Sequence, residues 1–325
     1  MSQLVRLACV QAEPEWLDLQ AGVDKAIRLI KEAGEKKVNI LGFPEVFIPG
    51  YPISIWTESV ISNSKILLKY RQNSLSRDSP EMRKILDAVK EAGIYVVLGY
   101  SERVNNSFYI AQSFISPAGT IINHRRKIKP TGVERNVWGD AGPEGLNTTV
   151  ETEFGRLGAL CCAEHVMPLL RMHEYTQGAQ MHIASWPMTW EAHRLGTYKA
   201  PGHEDYNGDL HASRFMSREG NLFVAVATQV LTPKNYERVG LNEGVDVAKK
   251  AVGCGGHSMI YDPHGKPLVH AIPEDEEGIL YADINLDEAL GRAMLIDIVG
   301  HSSRPDLLSL NVNTPPPLTS LSNPQ

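Results

Sequence analysis

Apolar runs of strand length alternate with helix-periodic segments from Leu4 to Gly99, and this constrains the architecture more than any other feature of the chain. Leu4 to Val10 reads as a buried strand. Val23, Ala26, Ile27, Ile30 and Ala33 then recur at helical spacing, with Gly34 as the expected stop. Val38 to Phe43 is a second strand. Ser79 at an N-cap, Pro80 at the first helical position, then Met82, Ile85, Leu86, Val89 and Gly93 punctuate a second helix. Ile94 to Gly99 follows as a strand. Such alternation predicts the α/β class, with helices packed on a sheet. At roughly 150 residues per domain, 325 residues would make about two domains, although single α/β domains of this length are ordinary.

Two later segments share a hairpin pattern. Ser107–Ser116 and Thr120–Asn123 flank Pro117-Ala118-Gly119, while His257–Tyr261 and Lys266–His270 flank Asp262-Pro263-His264-Gly265. The echo fits two similar α/β halves, and it equally fits two turns that arose independently. From residue 313 the chain becomes a Pro- and Ser-rich tail whose composition does not support a packed element.

Composition excludes several function classes. With 42% hydrophobic and 22% charged residues the chain is globular, and 32 basic against 38 acidic residues leave −6. No global field draws nucleic acid or an anionic membrane. No stretch approaches the ~18 apolar residues of a membrane span, and the N-terminus does not read as a signal peptide. Four cysteines, two of them adjacent, lack the density of a disulfide scaffold, so a cytoplasmic location is expected.

Three segments place reactive side chains just after expected strands: Phe43-Pro44-Glu45, the His124 to Thr131 run with Lys127 and Lys129, and Leu160-Cys161-Cys162-Ala163-Glu164-His165. Carboxyl ends of strands are where open α/β sheets build sites. Cys162 is expected between a strand ending at Cys161 and a helix beginning near Met167 or Pro168, whose dipole would favour a thiolate. Strand alternation sends Cys161 to the opposite face, as a small buried residue. A carboxylate, a lysine and a cysteine make one chemical set: the carboxylate takes the thiol proton, the thiolate attacks an electrophilic carbon, and the ammonium stabilises developing negative charge. An amide, a carbamoyl compound or a nitrile would suit it. Glu164 reads as a buried carboxylate bonded to backbone amides, and His165 and His173 as packing or surface residues. A zinc reading of Cys161, Cys162, His165 and His173 lacks a second ligand pair.

Phe-Pro-Glu-x-x-x-Pro-Gly-Tyr-Pro from Phe43, Arg-Lys-Ile-Lys-Pro-Thr-x-Val-Glu-Arg from Arg126 and Cys-x-Glu-His-x-x-Pro-Leu from Cys162 together resemble the nitrilase branch of the carbon-nitrogen hydrolase superfamily. The likeness continues through Gln180–Pro187 to Arg304–Leu308 and is nearest to fungal and bacterial nitrilases. It implies a four-layer α-β-β-α sandwich, a single domain over residues 1–312, and no cofactor or metal. It assigns Glu45 as general base, Lys127 as the catalytic lysine, Cys162 as nucleophile and Glu134 as a second carboxylate. Lys129 is left as a charged neighbour. Tyr51, Ala163, Trp186 and Met188 are candidates to line the substrate pocket, with core packing as the other reading for the bulky three. Relatives usually carry Trp where Ala163 stands, which implies a wider pocket.

The resemblance further implies a nitrile substrate, a carboxylic acid and ammonia as products, and a homo-oligomer built from dimers that can extend into a spiral. His301 and Arg304 would then be structural, near a subunit contact. An amidase or carbamoylase, a cyanide-converting hydratase and a catalytically silent oligomeric scaffold are the alternatives.

Overall fold

The computed structural model describes residues 4–188, 208–241 and 255–313. In chain order the elements are β1 (Leu4–Ala12), α1 (Leu19–Glu35), β2 (Ile40–Gly42), α2 (Ser64–Gln72), α3 (Pro80–Ala92), β3 (Tyr95–Val104), β4 (Ser107–Ser116) and β5 (Thr120–Arg126). There follow β6 (Thr149–Thr152), β7 (Gly155–Cys161), α4 (Pro168–Thr176), β8 (Met181–Ser185), α5 (Gly208–Glu219), β9 (Phe223–Gln229), β10 (Met259–Tyr261), β11 (Gly278–Asn285) and α6 (Asp287–Ala293). No helix among the described residues is long and apolar enough to cross a membrane. The tail beyond residue 313 lies outside the described residues.

Strand alternation builds the layers. In β1, Ala8, Val10 and Ala12 face one core with Val23, Ala26 and Ile30 of α1 and Met82, Ile85 and Val89 of α3. Val5, Leu7 and Cys9 face the other way, into a core shared with Ala159 of β7, Ile183 of β8 and Phe223 and Ala225 of β9. Beyond that second sheet, Leu160, Ala184 and Val224 pack with Leu170 of α4 and Met216 of α5. The order is helices, sheet, sheet, helices, an α-β-β-α sandwich.

The strand order β5-β4-β3-β2-β1-β9-β8-β7-β6 joins both sheets, with β11 added to β1 and β10 to β9. The seam between them is short: β1 meets β9 only at Gln11–Thr228 and Ala12–Gln229. Across β11-β1-β2-β3-β4 neighbours run antiparallel, parallel, parallel, antiparallel. The same sequence of directions recurs across β10-β9-β8-β7-β6. The two halves are therefore alike in topology, but the hairpin echo is not the trace of it. β4–β5 forms a ladder at the outer edge of its sheet, whereas the return from β10 makes only an isolated bridge from Tyr261 to Pro267.

The α3 punctuation forms as read: the Ser79 side chain accepts from the Met82 N–H and Gly93 caps the other end in the left-handed region. Gly34 differs from expectation. Helix α1 runs past it to Glu35, and a Cβ there would lie 2.9 Å from the Ala92 Cβ. This glycine lets α1 and α3 touch rather than ending a helix.

Gly99 of β3 has a direct bearing on the site. A Cβ there would lie 2.1 Å from the Pro44 carbonyl oxygen, so the turn carrying Glu45 rests on bare backbone. Phe43 N–H donates to Val97 O and Phe47 N–H to Gly99 O, each at 2.9 Å, which staples that turn to β3. Gly99→Ala is expected to lower the free energy of unfolding by about 1–3 kcal/mol through overpacking. Urea denaturation checks it, and an unchanged midpoint would show that the turn does not rest there.

Candidate active site

Glu45 follows β2, Lys127 follows β5 and Cys162 follows β7, so all three sit at carboxyl ends of strands. The Glu45 backbone is fixed twice. Its N–H donates to Trp186 O at 3.1 Å, and its carbonyl accepts from Gln229 Nε2. Gln229 Oε1 in turn accepts the Tyr51 N–H at 3.1 Å. Lys127 N–H donates to Ile110 O at 2.8 Å, which aims its side chain from the edge of β4 toward the turn.

The Lys127 ammonium donates to Glu45 Oε1 at 2.8 Å and to Glu134 Oε2 at 2.9 Å, with all three side chains buried. Glu134 lies in a 3-10 turn (Gly132–Asn136), where Oε2 also accepts the Thr131 N–H at 2.6 Å. Its Oε1 accepts from the Tyr51 hydroxyl at 2.9 Å, and Trp56 Nε1–H donates to that hydroxyl oxygen at 2.9 Å. Cys162 Sγ and one carboxylate oxygen from each of Glu45 and Glu134 lie within 4.8 Å of one another.

Burial is the main force on this set. It pushes the Glu45 carboxyl up to about 8; the Lys127 ammonium pulls the other way, and Glu134 adds to the rise. For Lys127, burial works to lower the pKa, but Glu45, Cys162 and Glu134 overcome it and hold the group well above its ordinary value. Glu45 Oε2 is buried and has no hydrogen-bond partner among the described residues. A carboxyl with one oxygen anchored and one open, poised near neutral pH beside a thiol, suits proton exchange.

Cys162 adopts φ +47, a left-handed conformation rarely taken by a residue with a Cβ. It opens a five-residue 3-10 turn (Cys162–Val166), and α4 begins only at Pro168. The helix starts where expected, but the 3-10 turn separates its N-terminus from the thiol, and the nearby cation is Lys127. Cys161 is fully buried in a core with Tyr51 and Trp138, and burial raises its thiol well above the ordinary value, which makes it inert.

Glu164 supports the strand ends. It accepts from Cys161 N–H and Ile128 N–H, each at 2.8 Å, and pairs in bidentate fashion with Arg125 at 2.6 and 2.9 Å, both charged side chains fully buried. One carboxylate thus ties the approach to Cys162 to the approach to Lys127. Lys129 is half exposed and bonds Asp140.

Tyr51 packs on Trp138 at 6.0 Å between centroids, besides bonding Glu134. Trp186 lies in the outer core near Cys162, donates Nε1–H to Ser213 Oγ at 2.8 Å and stacks on His165. Met188 packs in the same core as Tyr51, and Ala163 is partly exposed beside the thiol. His173 Nε2 meets Leu146 O, and His165 is committed to Cys162 O and His182. His301 and Arg304 are exposed and meet Asp297 and Asp306.

Sequence reasoning missed Gln229, Arg125 and the pair His182 and Glu174. No local pattern marks the first, an apolar strand's last residue. Thr131-x-x-Glu134 did carry a signal, since that spacing lets a carboxylate return to the first N–H of a turn.

The family model described as Carbon-nitrogen hydrolase matches residues 6–290. The chain is 51% identical over 313 residues to a protein named Nitrilase from Talaromyces marneffei, covering 96% of each. It is 46% identical to a Nitrilase from Penicillium rubens, covering 96% of this chain and 94% of that one. Among solved structures, the C. elegans NitFhit protein shares the fold with a TM-score of 0.71 at 21% identity, over 96% of this chain and 68% of that chain.

Removing the charge from Glu164 strands a buried guanidinium. Glu164→Gln is expected to cost about 3–5 kcal/mol, while Lys129→Ala at the surface costs less than about 1 kcal/mol. Parallel denaturation curves check the contrast, and similar losses in both would contradict it.

Proposed function

The chain belongs to the carbon-nitrogen hydrolase family, in its nitrilase branch, and from that footing we propose that it hydrolyses an organic nitrile to the carboxylic acid and ammonia. The observation that carries the reading is the buried Glu45–Lys127–Glu134 set within reach of Cys162. Cys162 is the nucleophile. Glu45 takes its proton, the thiolate attacks the nitrile carbon, and Glu45 passes the proton to the nitrogen, which gives the thioimidate and restores the carboxylate. Lys127, held cationic by its two carboxylates, stabilises the negative charge that develops on nitrogen, with the Ala163 N–H as a second donor. Water activated by Glu45 adds to the thioimidate, the tetrahedral intermediate expels ammonia, and a second water hydrolyses the thioester. Glu134 orients the ammonium. Tyr51, Ala163, Trp186 and Met188 are assigned to the pocket, a reading supported by the place of Tyr51 on Glu134 and of Ala163 beside the thiol.

The same reading makes the enzyme a cytoplasmic homo-oligomer. The exposed Leu290, Met294, Leu295, Leu307 and Leu308 on and beyond α6 support a subunit contact, and four cysteines in 325 residues, two of them adjacent, suit a reducing compartment.

Ammonia release across aliphatic, aromatic and arylaliphatic nitriles, cyanide and matching amides, with acid and amide quantified separately, tests the assignment. Nitrile turnover should vanish in Cys162→Ala; turnover of amides alone would move the protein to amidase chemistry. Ala163→Trp is expected to slow bulky nitriles relative to small ones, and unchanged relative rates would remove the wide-pocket reading. Because general-base action needs the carboxylate and burial raises Glu45, kcat/KM should climb as pH rises toward about 8. A profile flat from pH 6 to 9 would dissociate Glu45 from that role.

A further inference from the structure

His165, His182 and Glu174 are fully buried outside the Glu–Lys–Cys set, and the mechanism above uses none of them. They form a chain that ends on the nucleophile's own backbone. His165 Nδ1 lies 2.7 Å from the Cys162 carbonyl oxygen, His165 Nε2 lies 3.0 Å from His182 Nε2, and His182 Nδ1 meets Glu174 Oε1. His165 also stacks on Trp186 at 5.2 Å and 24°, and Arg171 Nη1 donates to its carbonyl at 2.8 Å. Its ring has no freedom to turn.

A carbonyl oxygen only accepts, so the His165 Nδ1 must carry the proton and donate it to Cys162 O. Burial and the neighbouring His182 hold the ring well below its ordinary pKa, hence neutral, and its bare Nε2 accepts from His182 Nε2–H. The tautomer is thereby fixed by a partner behind it, as in other buried imidazole pairs.

The peptide unit whose oxygen is held is the one that carries the Ala163 N–H. In a planar trans peptide the two point in opposite directions, so anchoring one aims the other. Cys162 at φ +47 sits in a conformation that costs of order 1–3 kcal/mol and persists only where its surroundings impose it. We propose that His165 is a positioning residue: by donating to the Cys162 carbonyl it holds this peptide so that the Ala163 N–H faces the charge developing on the attacked group, with His182 and Glu174 fixing the donor tautomer.

The proposal rests on Cys162 being the nucleophile, and its test separates the two. His165→Asn places an amide N–H where Nδ1 stood, whereas His165→Gln reaches toward His182 and leaves the Cys162 carbonyl without its donor. Two rates are read: kcat on a nitrile, and alkylation of Cys162 by iodoacetamide, in which the thiolate sulfur bonds carbon and iodide leaves without any oxyanion-type charge. His165→Gln should lose about 10²-fold in kcat, the scale of a lost oxyanion donor, with alkylation within about threefold of the parent. His165→Asn should stay within about tenfold in kcat. Equal kcat in the two, or a fall in alkylation matching the fall in kcat, overturns the proposal. Should His165→Gln be recovered unfolded by circular dichroism, His182→Gln, which keeps a donor toward His165 Nε2, is set against His182→Leu. There a retained kcat in the first alone supports the proposal, and equal kcat overturns it. Parent turnover that survives Cys162→Ala would refute the nucleophile assignment instead.

Discussion

One ammonium buried between two carboxylates is the interaction on which the rest of this molecule turns. Lys127 reaches Glu45 at 2.8 Å and Glu134 at 2.9 Å with almost no solvent near any of them. Desolvating three charged groups is costly, and their mutual attraction offsets that cost only if the geometry is held closely. The surroundings hold it by backbone. Glu45 is bonded through both its N–H and its carbonyl, and Glu134 through the Thr131 N–H and the Tyr51 hydroxyl. Burial raises the affinity of Glu45 for a proton against the pull of Lys127, which gives the site a base that works near neutral pH.

The same logic recurs a few ångströms away in a second buried pair. Arg125 and Glu164 carry opposite charges, are fully buried and bind no group that reacts in the proposed chemistry. Their work is mechanical: Glu164 takes the N–H of Cys161 and of Ile128, so the ends of β7 and of the β5 extension move together. A charge used for chemistry and a charge used for construction thus lie side by side, distinguished by whether their oxygens are spent on backbone amides. Glu164 has its oxygens engaged; Glu45 Oε2 meets no hydrogen-bond partner among the described residues.

Legibility in the sequence followed the range of the forces. Ser79, Pro80 and Gly93 punctuate α3 through contacts a few residues apart, and they could be read directly. Glu45 and Cys162 stood out because each follows an apolar strand, and Lys127 because its motif, in order with theirs, resembles one family. Gly34 misled because its reason is Ala92, on another helix. The 3-10 turn at Cys162 was hidden for a similar reason: it is imposed by Glu164 and His165, whose partners Arg125 and His182 lie on other strands. The alternation of cores along β1 was legible as apolar character, but not as two different layers, since that needs the second sheet.

The short seam at Gln11–Thr228 and Ala12–Gln229 gives the sandwich an unusual sensitivity. Glu45, Lys127 and Glu134 are delivered by the first sheet and Cys162 by the second, and chiefly the interleaved side chains of Leu7, Phe114, Ile183 and Phe223 set the gap between them. Since a misplacement of about 1 Å can cost on the order of 10² in rate, turnover becomes a ruler for the inter-sheet spacing. Side chains far from the thiol, by their volume alone, calibrate it.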